Sequence, residues 1–235
     1  MRAVILAGGK GTRLAPYTVA FPKPLMPVGE LPILEIVVRQ LRHYGFRRIT
    51  MAVGHLAELI QTFFGDGSKF GLQIDYSRED RPLGTAGPLH LIPDLDETFL
   101  VMNGDLLTDL NYGELMRWHD EQRNDATIGV YEKKVAIDLG VLERDGDNRI
   151  VDYKEKPTLT YEVSMGVYVF SKSILQYVPK GHFDFPELVL ELIRRGRPIR
   201  GYRFQGLWLD IGRAEDYAKA VETFESERAR LLPGG

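Results

Sequence analysis

At 235 residues, with 44% hydrophobic and 27% charged side chains, the chain is long enough for one large α/β domain and ordinary for a globular protein. A formal net charge of −3 argues against a broad nucleic-acid or anionic-membrane surface, and no apolar run nears the ~20 residues that span a bilayer. The absence of cysteine excludes disulfides, thiolate metal sites and thiol nucleophiles; with no charged-then-apolar leader, the default location is cytoplasmic.

The first element sets the rest. Ala3-Val4-Ile5-Leu6-Ala7 is a short apolar, β-branched run that predicts a buried strand. It empties into Gly8-Gly9-Lys10-Gly11-Thr12-Arg13, a loop with three glycines and two cations. Glycines let backbone N–H groups crowd toward a ligand, and successive N–H groups make an anion-binding hollow, so a polyphosphate is the natural guest. Lys23 follows between Pro22 and Pro24, on backbone too stiff to waste much entropy in aiming an ammonium. A Rossmann fingerprint is not completed, because Leu14 stands where the third glycine belongs, which disfavours an NAD-binding protein. A P-loop is excluded by the order Lys10-Gly11-Thr12.

Further along, spacing predicts a helix over 32–44, a strand over 48–53, a short helix over 56–64 and strands over 72–76 and 99–102. A helix over 112–123 and a strand over 126–131 come next. This alternation argues for a mostly parallel sheet with helices on both faces, whose ligands bind beyond the carboxyl ends of the strands. The second half has more strands, over 141–142, 150–153, 163–170 and 199–204. Helices are expected over 173–177, 186–195 and 214–230, and a short apolar segment ends in Trp208-Leu209-Asp210. No linker or repeat interrupts the chain. We therefore expect one domain over 1–235, with a change of texture near residue 135 that marks a candidate subdomain boundary.

Four other stretches bear on chemistry. Asp105, after Asn103-Gly104, and Asp210, before Ile211-Gly212, are carboxylates at strand ends that suit Mg²⁺, with a plain turn and a helix cap as the bland alternatives. Pro82-Leu83-Gly84-Thr85-Ala86-Gly87-Pro88 leaves room for a flat ring, but taken alone reads rather as a loop with Thr85 capping a helix start. Glu155-Lys156-Pro157 could hold a sugar hydroxyl and a phosphate, or be a solvated strand end. The five histidines show no ligand spacing and read as surface or packing residues; Trp118 and Trp208 read as core aromatics.

Taken together, LAGGKGTRL, PKP, PLGTAGPL, VMNGD, EKP, SMGVYVF and WLDIG resemble the sugar-1-phosphate nucleotidyltransferases, from Ala3 to about Tyr217. PLGTAG with WLDIGRAEDY looks most like the mannose-1-phosphate guanylyltransferase branch. The resemblance implies a Rossmann-like α/β fold of mixed, mostly parallel sheet, and transfer of a nucleotidyl group from a nucleoside triphosphate, GTP favoured, to a sugar 1-phosphate, mannose favoured, with Mg²⁺ as cofactor. On this sequence it implies that Leu6, Ala7, Gly8, Gly9, Gly11, Thr12, Arg13, Pro82, Gly84, Thr85, Asn103 and Gly104 bind the nucleotide. Arg13 and Lys23 would be catalytic, and Asp105 and Asp210 would hold the metal. Gly140, Glu155, Lys156 and Ser164 would bind the sugar phosphate. Ser164-Met165 and Leu139 depart from the relatives' Asn and aromatic residues, which leaves the sugar open. A homodimer is compatible with all this. Longer relatives carry a β-helix or regulatory domain that is absent here, so feedback-regulated assembly is not expected. The rival within the class uses UTP, dTTP or CTP with another hexose, hexosamine or heptose phosphate. The rival outside it is a silent nucleotide-sugar sensor, which the retained Arg13, Lys23, Asp105 and Asp210 argue against.

Overall fold

A computed structural model describes residues 1–234. Seven strands form the central sheet: β1 (Arg2–Ala7), β2 (Arg48–Val53), β3 (Gln73–Arg78), β4 (Thr98–Asn103), β6 (Ala126–Ala136), β9 (Thr158–Ser171) and β10 (Ile199–Phe204). Their spatial order is β10-β6-β9-β4-β1-β2-β3. Only β9 runs against the others, pairing antiparallel with β4 and β6. Two short strands, β5 (Leu106–Thr108) and β11 (Trp208–Asp210), pair with each other, and β7 (Val141–Arg144) pairs with β8 (Ile150–Lys154).

Both faces of the sheet are covered, as continuous apolar strands require. Along β1, Ala3 and Ile5 point into a core shared with α1 (Ile33–His43), α2 (Ala57–Phe64) and α3 (Tyr112–Glu121). Val4 points to the other face, against α4 (Phe185–Arg194) and the turn around Ala86 and Leu89. Helix α1 is apolar on more than one stripe because it is sandwiched. Leu34 and Val37 meet the sheet, while Ile33 and Ile36 meet Ala220 and Phe224 of α5 (Ala214–Leu231). Phe224 is fully buried, worth roughly 1.5–3 kcal/mol.

The chain steps from β1 outward to β2 and β3, then returns to place β4 on the other side of β1. That reversal is a topological switch point, and the segments leaving β1 and β4 open a crevice between them. One expectation is corrected by the pairing. Strand β6 runs on to Ala136 rather than ending at 131, and β9 begins at Thr158 rather than 163, so that the two continue past the sheet as a ribbon. The charged Glu132-Lys133-Lys134 obscured this, because both faces of the ribbon meet solvent and tolerate charge there.

Candidate active site

The glycine loop is built by close approach of backbone. A Cβ on Gly8 would lie 3.0 Å from Glu79 Oε1 and 3.2 Å from the Gly54 amide nitrogen, while one on Gly54 would lie 3.0 Å from the Gly8 carbonyl oxygen. The His55 amide donates to that same carbonyl at 3.2 Å. Gly11 is left-handed, at φ 62°, and opens a 3₁₀ turn over Thr12–Leu14 that holds Arg13 over the crevice. A side chain at Gly8 or Gly54 would push the loop off the segment after β2, and one at Gly11 would press on Thr18 and Lys23.

Lys23 lies buried in a second 3₁₀ turn, Lys23–Leu25, and its ammonium pairs with Asp105 Oδ2. Asp105 is aimed by Gly104, whose amide donates to the Leu6 carbonyl at 3.0 Å; a Cβ on Gly104 would press on β1. Asp210 reaches the same place by strand pairing. Leu106 is its register partner, and the Ile211 amide donates to the Asp105 carbonyl at 3.3 Å. Arg13 completes the group, since a Cβ on Gly212 would lie 3.3 Å from its Nη1. Two cations and two carboxylates from four separate segments thus share one cleft.

The electrostatics follow from this crowding. Withdrawal from water, then the Asp105 charge, push the Asp210 carboxyl above its ordinary value, with Lys23 and Arg13 opposing; the residue still opens to solvent on one side. Asp105 Oδ1 is buried with no hydrogen-bond partner, while its other oxygen faces Lys23. A carboxylate oxygen orphaned beside a second carboxylate is what a hard divalent cation requires, so Asp105 and Asp210 fit Mg²⁺.

A cavity of about 750 Å³ extends from this group. It is lined by Leu6, Ala7, Gly8, Gly9, Gly11, Thr12, Arg13, Lys23, Pro82, Gly84, Thr85, Asn103 and Asp105. Gly104, buried, and Asp210, exposed, are not among the lining residues, although Gly212, two positions beyond Asp210, is. Residues that sequence reasoning did not assign also line it, among them Glu79, Arg81, His55 and the exposed His182, so two of the five histidines border the cavity. A carboxylate at the end of β3 was the available signal for Glu79. Its carboxyl is pushed up by burial, against the Leu83 amide it accepts at 2.7 Å and the nearby His182.

The Pro82–Pro88 loop is stapled across the fold. The Thr85 amide and hydroxyl both donate to Asp184 Oδ1, at 2.8 and 3.1 Å, and the hydroxyl accepts the Phe185 amide at 2.8 Å. Thr85 therefore serves the start of α4, not a helix of its own. Gly84, at φ 77°, allows the approach: a Cβ would lie 2.6 Å from the Phe183 carbonyl oxygen.

The expected sugar residues are not drawn into this cavity. Gly140, Glu155, Lys156 and Ser164 are all exposed and belong to the segment beyond the sheet. The Tyr153 hydroxyl donates to Glu155 Oε2 at 2.6 Å, and a Cβ on Gly140 would collide with that tyrosine. The Ser164 hydroxyl donates to Tyr168 Oη at 3.0 Å, inside the irregularity that interrupts the β9–β6 register between Ser164 and Tyr168.

Residues 2–227 match the family model described as nucleotidyl transferase, and the chain belongs to the sugar-1-phosphate nucleotidyltransferase family. It is 36% identical, along its whole length, to a UTP--glucose-1-phosphate uridylyltransferase of Synechocystis and covers 66% of that protein. It is 32% identical, again along its whole length, to the mannose-1-phosphate guanylyltransferase catalytic subunit beta of Danio rerio, of which it covers 69%. The chain thus spans about two thirds of the length of these relatives. Among solved structures, HddC from Yersinia pseudotuberculosis complexed with GMP-PN superposes with a TM-score of 0.72 at 28% identity, over 95% of this chain and 99% of that one. No helix among the described residues is long and apolar enough to cross a membrane.

Proposed function

We propose that this chain condenses a nucleoside triphosphate with a sugar 1-phosphate, giving an NDP-sugar and pyrophosphate, and that it does so in the cytoplasm with GTP and mannose 1-phosphate as the favoured pair. The meeting of Arg13, Lys23, Asp105 and Asp210 in one cleft at the switch point carries this reading.

A sugar phosphate oxygen attacks the α-phosphorus of the triphosphate; the bond from that phosphorus to the α–β bridging oxygen breaks, and pyrophosphate leaves. A phosphate monoester is mostly dianionic at neutral pH, its second pKa being about 6, so no general base is needed. The difficulty is the approach of anion to anion, and positioned charge is the remedy. The glycine loop presents N–H groups to the triphosphate, Lys23 neutralises charge at the reacting phosphates and Arg13 that on the departing pyrophosphate. Mg²⁺, held by Asp105 and Asp210, would add Lewis-acid neutralisation at the phosphate oxygens. In the sugar half, Gly140, Glu155, Lys156 and Ser164 would contact the sugar phosphate.

The preference for GTP rests on Glu79. A carboxylate is acceptor-only. Guanine presents two adjacent donors on its pairing edge, N1–H and the 2-amino group, whereas uracil and thymine present one between two acceptors. Glu79 lines the cavity beside Gly84 and keeps lone pairs beyond the one that takes the Leu83 amide.

Pyrophosphate release across GTP, UTP, dTTP and CTP, each with Mg²⁺ and a panel of sugar 1-phosphates, tests both levels. We expect turnover with GTP and mannose 1-phosphate, and a Glu79→Gln variant that loses most of its discrimination against UTP. Preference for UTP with glucose 1-phosphate would overturn the nucleotide assignment. Release with no pair would overturn the enzyme.

A further inference from the structure

Asn103 is the last residue of β4 and lines the cavity, half-buried. An amide side chain offers two N–H donors and a carbonyl acceptor. Among the described residues none of these is taken up by the protein, so the group stands free at the cavity wall.

Its neighbour across the sheet is built to let it stand there. The β4–β9 ladder ends on Met102 opposite Val167, so the next residue of β9, Gly166, faces Asn103. A Cβ on Gly166 would lie 2.6 Å from Asn103 Nδ2. Gly166 is buried and left-handed, at φ 72°, which glycine adopts without strain. It falls within the irregularity between Ser164 and Tyr168, and bulges of this kind re-aim groups beside a site. The Gly166 amide in turn donates to Ser164 Oγ at 3.3 Å. Asn103, Gly166 and Ser164 therefore form a chain of contacts from the cavity to the strand that carries an expected sugar residue.

Distance separates this amide from the base. The order β9-β4-β1-β2-β3 puts three strand spacings between β4 and β3, roughly 14 Å in all. Glu79, which the proposed function gives to the base, follows β3, and the glycine loop follows β1. Asn103 lies beyond that loop on the β9 side, two residues before Asp105. A group that approaches the reacting phosphate from β9 meets Asn103 first. The residue is also neutral. A carboxylate here would repel a sugar phosphate and compete with Asp105 for a cation. An amide does neither, and it can donate to one hydroxyl while accepting from the next.

We infer that Asn103 determines sugar specificity, its amide bonding hydroxyls on the ring of the sugar 1-phosphate from a position that only a glycine at 166 leaves open. The inference rests on the proposed condensation, and it gives to the sugar a residue that the motif resemblance gives to the nucleotide.

Calorimetric affinities for GDP and GDP-mannose, which need no turnover, test it beside steady-state kinetics. Removing the Asn103 side chain leaves no protein group unpaired, so Asn103→Ala should fold as the parent chain does; Asn103→Ser takes its place if it does not. We expect the sugar 1-phosphate KM to rise about ten- to thirtyfold, as loss of one or two hydrogen bonds dictates, with the Kd for GTP and Mg²⁺ held within about twofold. Most of the affinity that the sugar adds to GDP-mannose over GDP should vanish. A parent chain that prefers UTP and glucose 1-phosphate is measured with UDP and UDP-glucose in the same way, so the inference does not depend on guanine. An unchanged sugar 1-phosphate KM or a weakened GTP Kd overturns it. So does a loss of discrimination between GTP and dGTP, which would place the amide on the ribose. A parent chain that releases no pyrophosphate with any pair overturns the proposed function itself, and this inference with it.

Discussion

The cleft and the arm, which is the β6–β9 ribbon beyond the sheet together with the β7–β8 hairpin, are built on opposite principles. In the cleft, small residues let backbone press on backbone: Gly8 against Gly54, Gly84 against Phe183 and Gly104 against β1. Lys23 and Asp105 are fixed on each other across 82 residues of chain, and the orphaned oxygen of that pair belongs to a residue suited to a metal. In the arm almost every side chain is exposed, contacts are local, and the assigned sugar residues bond to near neighbours in sequence. The contrast teaches where each kind of specificity resides. On the proposed function, charge cancellation is preorganised by the core, while the arm's residues proposed for the sugar lie in an exposed segment that a ligand must bring into place.

The widest separation between the two regions should appear in catalysis. Lys23→Ala is expected to lower kcat/KM by about 10²–10³-fold in steady-state pyrophosphate release, the loss typical of removing one preorganised group. A fall under tenfold would place the chemistry elsewhere. Next in size is Gly84→Ala. A left-handed φ of 77° and a Cβ within 2.6 Å of the Phe183 carbonyl oxygen should cost about 1–3 kcal/mol by denaturant titration and raise the triphosphate KM. Lys156→Ala sharpens the comparison from the arm's side. It should raise the sugar 1-phosphate KM about tenfold, as loss of one hydrogen bond to a charged group does, without moving the triphosphate KM. Equal effects on both would merge the regions.

The smallest effect concerns the core between them. His119 is buried, with Nδ1 2.9 Å from Thr127 Oγ1 and Nε2 3.2 Å from Ser171 Oγ. The Ser171 hydroxyl donates to the Asn124 carbonyl at 2.8 Å, so it accepts from Nε2–H. Thr127 Oγ1 accepts from Asn124 Nδ2–H at 2.9 Å and can donate its own proton to Nδ1, which describes a neutral ring. Burial holds its pKa below the ordinary 6.5, with Asp120 and Asp125 opposing. The unfolded chain therefore takes up the proton first. Stability should be flat above about pH 6.5 and fall below it, by up to about 1.4 kcal/mol per pH unit. His119→Gln should flatten that slope in thermal melts; an unchanged slope would assign it to other groups.

Legibility in the sequence divides along the same line. The alternation of strands and helices was readable because buried parallel strands are continuous apolar runs, and the glycine loop at the cavity because glycines and a proline-framed lysine have few other uses. The meeting of Asp105 with Asp210 was not, since it depends on β5 and β11, three residues each and paired across about a hundred positions. The Thr85–Asp184 staple was equally hidden, because its partners lie 99 residues apart. Glu79 carried only the weak signal of a charge at a strand end. The ribbon was missed because periodicity identifies a strand by burial, and the arm has little.

The claim on which the rest depends is that Asp105 and Asp210 act as one metal-holding pair beside Lys23 and Arg13. Magnesium dependence of pyrophosphate release, measured in parallel for the parent chain, Asp105→Asn and Asp210→Asn, tests it directly. Release by the parent chain should require Mg²⁺, and each variant should turn over at least about 10²-fold more slowly and need more Mg²⁺ for half-maximal rate. Turnover of either variant at the parental rate with the parental Mg²⁺ requirement would contradict it.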